Sequence, residues 1–389
     1  MAGPLKGIKV LDLSRILAGP WSTQVLADYG AEVWKIERPV SGDDTRHWGP
    51  PYVGDVNGEA SAESAYYISA NRGKKSFEID IATPSGQQTI RRLAQQADIL
   101  VENFKVGGLK GYGLDYSSLR ALNPGLIYCS ITGFGQTGPY AERAGYDAMI
   151  QAMGGLMSIT GEPDGNPGAG PQKVGVAVAD LMTGMYAVSA ILAALHHKNN
   201  TGHGQHIDLA LLDTQVAWLA NQGSNYLVSG NVPQRLGNAH PNIVPYQTFK
   251  AQDGYILLAV GNDNQFRKCC ELMGLDELSQ DARFVTNHQR VEHREVLIPI
   301  MQQRFIQESM QHWLDLLSSK HIPCSPINSL DKVFANEQIQ HRQMVFDLEH
   351  PTTGTVPQVA NPVRFSLTPI EYNSPAPVLG QHNEEIDKE

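Results

Sequence analysis

Two aspartates stand where segments with helical spacing begin, and both could take part in chemistry. Asp180 opens the helix with the strongest apolar periodicity in the chain. The helix dipole and the free N–H groups of a first turn favour the charged form of such a carboxylate. Asp180 could therefore be a helix N-cap worth about 1 kcal/mol, or an ionised nucleophile that attacks an acyl carbonyl. Asp147, in Gly145-Tyr146-Asp147, is a second acid near a helix start and is open to the same interpretation as a cap.

The ends of two predicted strands carry side chains that suit a nucleotide, because ligands of open α/β sheets sit at the carboxyl ends of the strands. Arg38 follows the second strand, where an arginine suits a ribose phosphate such as that of NADP or coenzyme A. It could equally be an arginine at a sheet edge in water. Asn103, Phe104 and Lys105 follow a later strand and suit an adenine and a phosphate. Their spacing alone favours a buried Phe104 beside a solvated Lys105.

Two loops bear on ligand binding. The first strand-turn-helix, at residues 14–20, lacks G-x-G-x-x-G, so it does not cradle a dinucleotide in the usual way. Gly261, Asn262, Asp263 and Asn264 follow a predicted hairpin strand and combine glycine with small polar residues. They could form a mobile turn that acts as a lid. The pattern alone favours an ordinary turn that caps the next helix.

The sequence lacks the motifs of several other enzyme classes. It has no G-x-S-x-G elbow and no P-loop, which argues against a serine hydrolase and a P-loop NTPase. No metal site is expected, because the clustered histidines have no acidic partner at ligand spacing. These histidines are His196, His197, His203 and His206.

Composition narrows the class of protein further. The chain has 389 residues, which suggests two or three domains, and its net charge of −10 argues against a nucleic-acid partner. Four cysteines without C-x-x-C spacing predict neither a disulfide framework nor a zinc site and favour the cytoplasm. No signal peptide is recognised, and the longest apolar run is far short of the roughly 20 residues of a membrane span, so no membrane partner is expected.

Alternating strands and helices predict a Rossmann-like parallel sheet in the N-terminal half. The predicted strands cover residues 8–13, 33–36, 76–81, 99–104, 126–132 and 207–209, and the predicted helices cover residues 20–29, 84–97, 146–157 and 180–200. Thr83 is a candidate N-cap. The apolar stripe of the last helix consists of Leu181, Met185, Val188, Leu192 and Leu195.

The texture changes near residue 230 and predicts a smaller α+β domain. Residues 246–250 and 255–260 read as a hairpin, and helices follow at residues 264–273, 288–308 and 310–319. The polar, proline-dotted end of the chain is expected to pack back across the first domain. We therefore predict a large domain at residues 1–225, a small domain at 226–330 and a C-terminal return at 331–389.

Eight segments in order resemble the family III CoA-transferases, the CaiB/BaiF group. They are LDLSRILAGPWSTQVLADYGAEVWKIERPVSGDDTR, NRGKKSFEIDI, ADILVENF, NPGLIYCSITGFGQTGPY, GYDAMIQAMGGLMSITG, VAVADLMTGMYA, TGHGQHIDLALLD and LAVGNDNQF. The resemblance covers nearly the whole chain. It implies an interlocked homodimer that uses coenzyme A and acyl-CoA as substrates and has no tightly bound cofactor.

The resemblance also implies a role for individual residues. Asp180 matches the aspartate nucleophile of the family. The family's CoA contacts map onto Leu17, Ala18, Arg38, Ile79, Asp80, Asn103, Phe104 and Lys105. A lysine that some members use on CoA falls on Ala144, and Arg143 beside it is the expected substitute. The family's glycine-rich flap maps onto Gly261, Asn262, Asp263 and Asn264, and Tyr146 and Asp147 join these residues around the substrate.

One residue separates two activities within this family. The similar α-methylacyl-CoA racemases carry a catalytic histidine at the position of Tyr146, and a tyrosine with an ordinary pKa near 10 is a poor proton shuttle. The resemblance therefore favours a CoA-transferase, with a racemase or a non-catalytic acyl-CoA binder as alternatives. Members that use succinyl-CoA with dicarboxylates look most similar. Arg15, Arg46 and Arg72 are the candidates to hold the far carboxylate of such an acid.

Overall fold

The structure, a computed structural model, describes residues 3–54 and 60–386. The chain forms two compact units. The first comprises Met1–Gly155, Val174–Trp218 and Glu337–Glu389, and the second comprises Leu156–Lys173 and Leu219–Asn336. The domain boundaries expected from the sequence stay a prediction.

The described residues contain thirteen strands. They are β1 (Lys9–Asp12), β2 (Glu32–Glu37), β3 (Tyr52–Gly54), β4 (Ala60–Ser64), β5 (Lys74–Glu78), β6 (Ile99–Glu102), β7 (Ile127–Thr132), β8 (His206–Ala210), β9 (Tyr246–Lys250), β10 (Tyr255–Ala259), β11 (Cys324–Pro326), β12 (Val345–His350) and β13 (Gly354–Val359).

The α-helices of the same residues are α1 (Ala18–Asp28), α2 (Ala65–Ser69), α3 (Pro84–Gln96), α4 (Tyr116–Leu122), α5 (Asp147–Met153), α6 (Leu156–Ile159), α7 (Val178–Thr201), α8 (Leu211–Ala217), α9 (Ala220–Ser229), α10 (Asp263–Met273), α11 (Asp276–Gln280), α12 (Asn287–Glu292), α13 (Arg294–Phe305), α14 (Met310–Ser318), α15 (Leu330–Phe334) and α16 (Glu337–His341). Short 3-10 turns occur at Asp44–His47, Lys110–Tyr112 and Asn383–Glu385.

A six-stranded parallel sheet in the order β5-β2-β1-β6-β7-β8 organises the first unit. This confirms the predicted parallel sheet. The chain order reverses between β1 and β6, and the crevice at such a reversal is where open α/β sheets bind ligands. The third strand of the sheet, β5, is Lys74–Glu78 rather than residues 76–81, because its pairing with β2 ends where Glu37 meets Glu78.

Helix α7 packs on this sheet and carries Asp180 near its start. Gly184 allows a close approach, since a Cβ there would lie 2.8 Å from the carbonyl oxygen of Ala18 in α1. The predicted apolar stripe is partly wrong: Met185 and Leu192 are exposed. The buried residues of α7 are Ala179, Thr183, Gly184, Ala187, Val188, Ile191, Ala194 and Leu195. By length and apolar composition α7 could cross a membrane, but buried core helices meet the same test, so this is weak evidence of a span.

Buried ion pairs lie beneath the carboxyl ends of the central strands. Lys74 Nζ lies 3.1 Å from Asp12 Oδ2, and both side chains are fully buried. Lys35 Nζ lies 2.9 Å from Asp43 Oδ2, and both of these side chains are also buried. Removing one partner from such a pair leaves a buried charge uncompensated, which costs about 3–5 kcal/mol. These pairs therefore fix the strand ends that carry the loops described below.

The end of the chain adds to the first unit. The Arg46 Nη2 atom donates to the carbonyl oxygen of Pro377 at 3.0 Å, and the backbone N–H of His382 donates to Ser76 at 3.1 Å. Strands β12 and β13 form a hairpin that the sequence analysis did not predict.

The second unit contains the predicted hairpin, with β9 and β10 antiparallel and β11 added at the other edge of β10. Its helices cover this sheet through a core that includes Phe249 stacked on Phe305, with ring centroids 4.6 Å apart. The single helix predicted over residues 288–308 is two helices, α12 and α13. His293 leaves the helical conformation between them, and its Nδ1 donates to the carbonyl oxygen of Gln289 at 2.9 Å.

Candidate active site

A cavity of about 830 Å³ opens at the carboxyl ends of the parallel strands, within the first unit. It brings together residues that lie far apart in the sequence. The predicted site residues on its wall are Leu17, Ala18, Arg38, Ile79, Asp80, Asn103, Phe104, Lys105, Arg143, Tyr146 and Asp180. Asp147 is not on the wall but bonds to the backbone of Asp180. The cavity is therefore the candidate active site.

The loop between β1 and α1 is held in an unusual backbone conformation at the cavity. Ile16 has φ +72°, a left-handed conformation that is costly for a β-branched residue and often marks a functional site. Its N–H donates to both oxygens of Asp43 at 3.2 Å. Asp43 is itself paired with Lys35, so the buried charges under the sheet set the shape of this loop. Asp43 was not among the predicted site residues, because it carries no local signal beyond its type.

Asn103 braces the same loop from the neighbouring strand end. Its Oδ1 accepts from the N–H of Arg15 at 3.0 Å, and its Nδ2 donates to the carbonyl oxygen of Arg15 at 2.7 Å. Both ends of the amide therefore bind the backbone of one residue. Asn103 lies where the sequence predicts, and its contact with CoA stays a prediction.

Besides Arg15, three exposed cations lie on the cavity wall. Arg38, Lys105 and Arg143 each extend into solvent, and the Arg143 guanidinium stacks 3.9 Å from the centre of the Tyr140 ring. Glu37, beside Arg38, is buried and binds Arg46 at 2.7 Å, so it does not offer its carboxylate to a ribose hydroxyl. This wall favours anionic groups such as phosphates.

The structure corrects two of the three arginines expected to bind a substrate carboxylate. Arg46 is buried between Glu37 and Glu63, and Arg72 is buried against Asp28 at 2.7 Å. Both guanidinium groups already have carboxylate partners and cannot also hold a substrate. Arg15 remains: it lines the cavity, its side chain is 51% exposed, and it makes a surface ion pair of 2.8 Å with Asp44.

A close contact between two glycines places the segment that leads to Asp147. A Cβ on Gly133 would lie 2.6 Å from the Cα of Gly145, so the backbones after β7 and before α5 meet where no side chain fits. Tyr146 follows at the cavity and is 63% exposed. The predicted helix of residues 146–157 ends at Met153, because Gly154 and Gly155 follow and Gly155 has φ +86°.

Asp147 caps helix α7 from another helix. The N-cap residue of α7 is Ala177, which has no side chain that could accept a hydrogen bond. Asp147 Oδ1 instead accepts from the N–H groups of Ala179 at 2.8 Å and Asp180 at 3.3 Å. The interpretation of Asp180 as an N-cap is therefore wrong, since it is the third residue of α7. The capping function belongs to Asp147.

The environment of Asp180 opposes its charged form. Burial in the cavity wall and the nearby charge of Asp147 raise the pKa of Asp180 to about 7. No ion pair or side-chain hydrogen bond to its carboxylate occurs among the described residues of the first unit. The same charges act on Tyr66 of α2. Burial and the negative charges of Asp180, Asp147 and Asp43 raise the pKa of Tyr66 to about 12. Burial and the charge of Asp147 thus act against the helix dipole, which was expected to keep Asp180 ionised.

A second acid with a raised pKa is Glu102, the last residue of β6. Burial raises the pKa of Glu102 to about 7, although hydrogen bonds from Ser130 and the Phe104 backbone act in the opposite direction. The N–H of Phe104 donates to Glu102 Oε2 at 2.7 Å. Glu102 therefore positions Phe104, and only its place at a strand end could have suggested this from the sequence.

The residues assigned to a flap lie in the second unit and form a helix cap. Asn262 accepts from the N–H of Gln265, Gly261 donates to the Gln265 side chain at 2.8 Å, and Asp263 pairs with Arg290 at 2.8 Å. This is the ordinary turn that the pattern favoured, although the helix begins at Asp263. Within residues 3–54 and 60–386, no group of three or more His, Cys, Asp or Glu is placed to hold a metal ion.

Comparison with known proteins agrees with this geometry. The sequence profile of CoA-transferase family III matches residues 5–383. The chain is 52% identical to a succinate–glutarate CoA-transferase of Agrobacterium fabrum, covering 98% of this chain and 94% of that protein. It is 47% identical to the succinyl-CoA:glutarate CoA-transferase of Homo sapiens, covering 99% and 86%. The crystal structure of a CaiB/BaiF family protein from Brucella suis superposes with a TM-score of 0.86 at 50% identity, covering 100% and 99%. The resemblance seen in the sequence is confirmed.

We expect Asp180→Asn to stabilise the folded protein at alkaline pH. The folded pKa of Asp180, about 7, lies above its ordinary value of 3.8, so the stability of the protonated form is lost as pH rises towards 7. The amide never ionises and escapes that loss. In urea unfolding, the advantage of the variant should grow by roughly 2–3 kcal/mol between pH 5 and pH 8. Glu142→Gln, at an exposed acid, serves as the control, and an equal pH dependence of wild type and Asp180→Asn would contradict the assignment.

Proposed function

The chain belongs to CoA-transferase family III, and from that premise we propose that it moves CoA from succinyl-CoA to a small dicarboxylic acid with Asp180 as the nucleophile. The observation that carries this proposal is Asp180 itself, a carboxylate in the wall of a cavity that is also lined by Arg15, Arg38, Lys105 and Arg143. Its raised pKa favours any state in which the carboxyl is uncharged. CoA and acyl-CoA are substrates in this scheme rather than resident cofactors.

The proposed mechanism passes through two covalent states of Asp180. One carboxylate oxygen attacks the thioester carbonyl, the C–S bond breaks, and the CoA thiolate leaves a mixed anhydride behind. The thiolate then attacks the aspartyl carbonyl, which releases the donor acid and leaves an aspartyl-CoA thioester. An acceptor carboxylate reverses the two steps and departs as the new thioester. Covalent catalysis replaces one difficult exchange by easier steps.

The cations of the cavity divide between the two substrates in this proposal. Arg38, Lys105 and Arg143 meet the phosphates of CoA, and Phe104 offers an aromatic face to the adenine. Arg15 binds the far carboxylate of the succinyl group and of the acceptor acid, since it is the candidate whose guanidinium stays accessible. The names of the relatives in Agrobacterium fabrum and Homo sapiens support a dicarboxylate of the size of succinate or glutarate.

The racemase alternative finds no support in the site. It requires a second proton carrier near Asp180, and the residue before Asp147 is an exposed tyrosine rather than a histidine. A non-catalytic binder would have no use for a carboxyl held out of water without a partner. Both alternatives are separated from the proposal by the following experiment.

Borohydride should trap the aspartyl thioester. Protein mixed with succinyl-CoA and then reduced should convert the carboxyl of Asp180 to an alcohol, with loss of one oxygen and gain of two hydrogens in the peptide that contains it. Glutarate added before the reductant should discharge the intermediate and yield glutaryl-CoA in the mass spectrum. Asp180→Asn should show neither change. Transfer of CoA with an unmodified Asp180 would contradict the mechanism, and label exchange at the α-carbon of a 2-methylacyl-CoA would favour the racemase.

Arg15→Ala should remove the preference for dicarboxylates. A charge-assisted hydrogen bond contributes about 1.5–3 kcal/mol, so kcat/KM for glutarate should fall at least about tenfold relative to that for butyrate. Arg38→Ala is the matched control, because it removes another exposed arginine from the same cavity. It should raise the KM of every CoA thioester and leave the glutarate-to-butyrate ratio unchanged. A wild-type ratio in Arg15→Ala would show that the acid is held elsewhere.

We also propose that the protein is an interlocked homodimer. Apolar side chains are exposed on α7, among them Met185, Tyr186 and Leu192, and on α9, among them Leu227 and Val228. A soluble monomer gains nothing from such patches, whereas a second copy of the chain would cover them. Light scattering should give the mass of two chains. Tagged and untagged dimers should not exchange subunits without unfolding, and free exchange would rule out interlocking.

A further inference from the structure

The first turn of α7 has an arrangement that an ordinary helix start lacks. In most helices the N–H groups of the second or third residue, here Ala179 and Asp180, donate to the N-cap side chain. In α7 they donate instead to one carboxylate oxygen of Asp147, a residue of α5. The other oxygen of Asp147 accepts from Gln151 Nε2 at 2.7 Å. Gln151 is fully buried, and its own Oε1 accepts from the N–H of Val174 at 2.9 Å. The position of Asp147 is therefore fixed from both sides.

We propose that Asp147 is a positioning residue that keeps the backbone donors of α7 away from Asp180 and places a negative charge beside it, so that Asp180 is driven towards its acylated states. This inference rests on the proposed function of Asp180 as nucleophile. It assigns Asp147 to neither a flap nor a proton transfer.

The charge balance of the acylation step explains the effect. One oxygen of Asp180 bonds to the thioester carbon, the electron pair of the C–S bond leaves on sulfur, and the negative charge moves from Asp180 to the thiolate. The free carboxylate is repelled by Asp147, but the neutral anhydride and the neutral thioester are not. Asp147 thus destabilises the starting state without destabilising the two intermediates, which raises the nucleophilicity of Asp180 and the fraction that is acylated.

A consequence concerns the oxyanion. The N–H groups at a helix start are often available to stabilise a developing negative charge. Those of Ala179 and Asp180 already donate to Asp147, so they are not the donors for the tetrahedral intermediate formed at Asp180.

Other charged or titratable groups near Asp180 set the background against which Asp147 acts. Tyr66 of α2 responds to the charges of both aspartates. The other charged or titratable groups on the same cavity wall are Arg15, Lys35, Glu37, Arg38, Asp43, Asp80, Lys105, Tyr112, Arg143 and Tyr146. Lys35 and Asp43 are paired with each other, and Arg15 is paired with Asp44. None of these cations forms an ion pair with Asp180 in the described part of the unit.

The test is the pH dependence of the first turnover in Asp147→Asn. The rate at which succinyl-CoA modifies Asp180, read by borohydride trapping, should fall at low pH in the wild type with a midpoint near 7. In Asp147→Asn the midpoint should move down by about one pH unit, and the rate at pH 8 and the trapped fraction should fall severalfold. If Asp147→Asn does not fold, Asp147→Ser replaces it, because a serine side chain is neutral and can still accept an N–H. Its midpoint and rate should change in the same direction as those expected for Asp147→Asn.

A second measurement does not depend on turnover. The gain in unfolding stability from Asp180→Asn at pH 8 should be smaller in the Asp147→Asn background than in the wild type, as in a double-mutant cycle. Asp98→Asn is the matched control: it also removes a carboxylate that accepts a backbone N–H, from Lys9 at 3.0 Å, but it lies off the cavity wall. It should leave the midpoint near 7.

The outcomes separate the two proposals. A wild type that is never modified at Asp180 refutes the proposed function. A wild type that is modified, with Asp147 variants that keep the midpoint near 7 and additive stabilities, upholds the function and overturns the role of Asp147, which would then be a helix cap alone.

Discussion

A carboxylate withdrawn from water without a counter-ion is the constraint on which this active site depends. Two other buried aspartates are paired, Asp12 with Lys74 and Asp43 with Lys35, and these cations hold the pKa of both acids below the ordinary value in spite of burial. Asp180 has no such partner among residues 3–54 and 60–386, and its pKa is raised instead, to about 7. The fold thus uses the same kind of residue in two opposite ways, and the difference is the presence or absence of a nearby lysine.

The paired acids nevertheless help to shape the cavity that contains the unpaired acid, Asp180. The buried Lys35–Asp43 pair holds the N–H of Ile16 and so the left-handed turn of the loop after β1, while Asn103 clasps the backbone of Arg15 beside it. Interactions that stabilise the sheet therefore also fix one wall of the cavity. Another part of the wall is set by the contact of Gly133 with Gly145, which leads the chain to Asp147. These contacts together fix the shape of the cavity.

The sequence was sufficient for the six strands of the parallel sheet, because buried parallel strands are short apolar runs whose order of appearance constrains the sheet. Side chains that follow parallel strands meet at one edge, so Arg38, Phe104 and Lys105 were candidates, and all three line the cavity. Their contact with CoA stays a prediction. The sequence failed where contacts join distant residues. Nothing near Arg46 or Arg72 in the sequence announces Glu37 or Asp28, the acids that occupy them. For the same reason, the sequence pattern indicated that Asp180 was either a helix cap or an ionised acid. The residue that caps α7 is Asp147, which lies 33 positions before Asp180.

The exposed apolar face of α7 was also not predicted from the sequence, because it too depends on a contact between distant residues. Its consequence concerns the outer surface of the helix. The apolar periodicity of this helix predicts one stripe that faces the core, yet the close approach to α1 at Gly184 turns small residues inward and leaves Met185 and Leu192 in solvent. A helix that is apolar on both faces needs two partners. The sheet and α1 supply one of them within the chain. Since the proposed nucleophile, Asp180, lies in the first turn of α7, a second chain that covered the outer face of this helix would also restrict its movement. It would help to keep water from the activated acyl group, which a transferase must protect from hydrolysis.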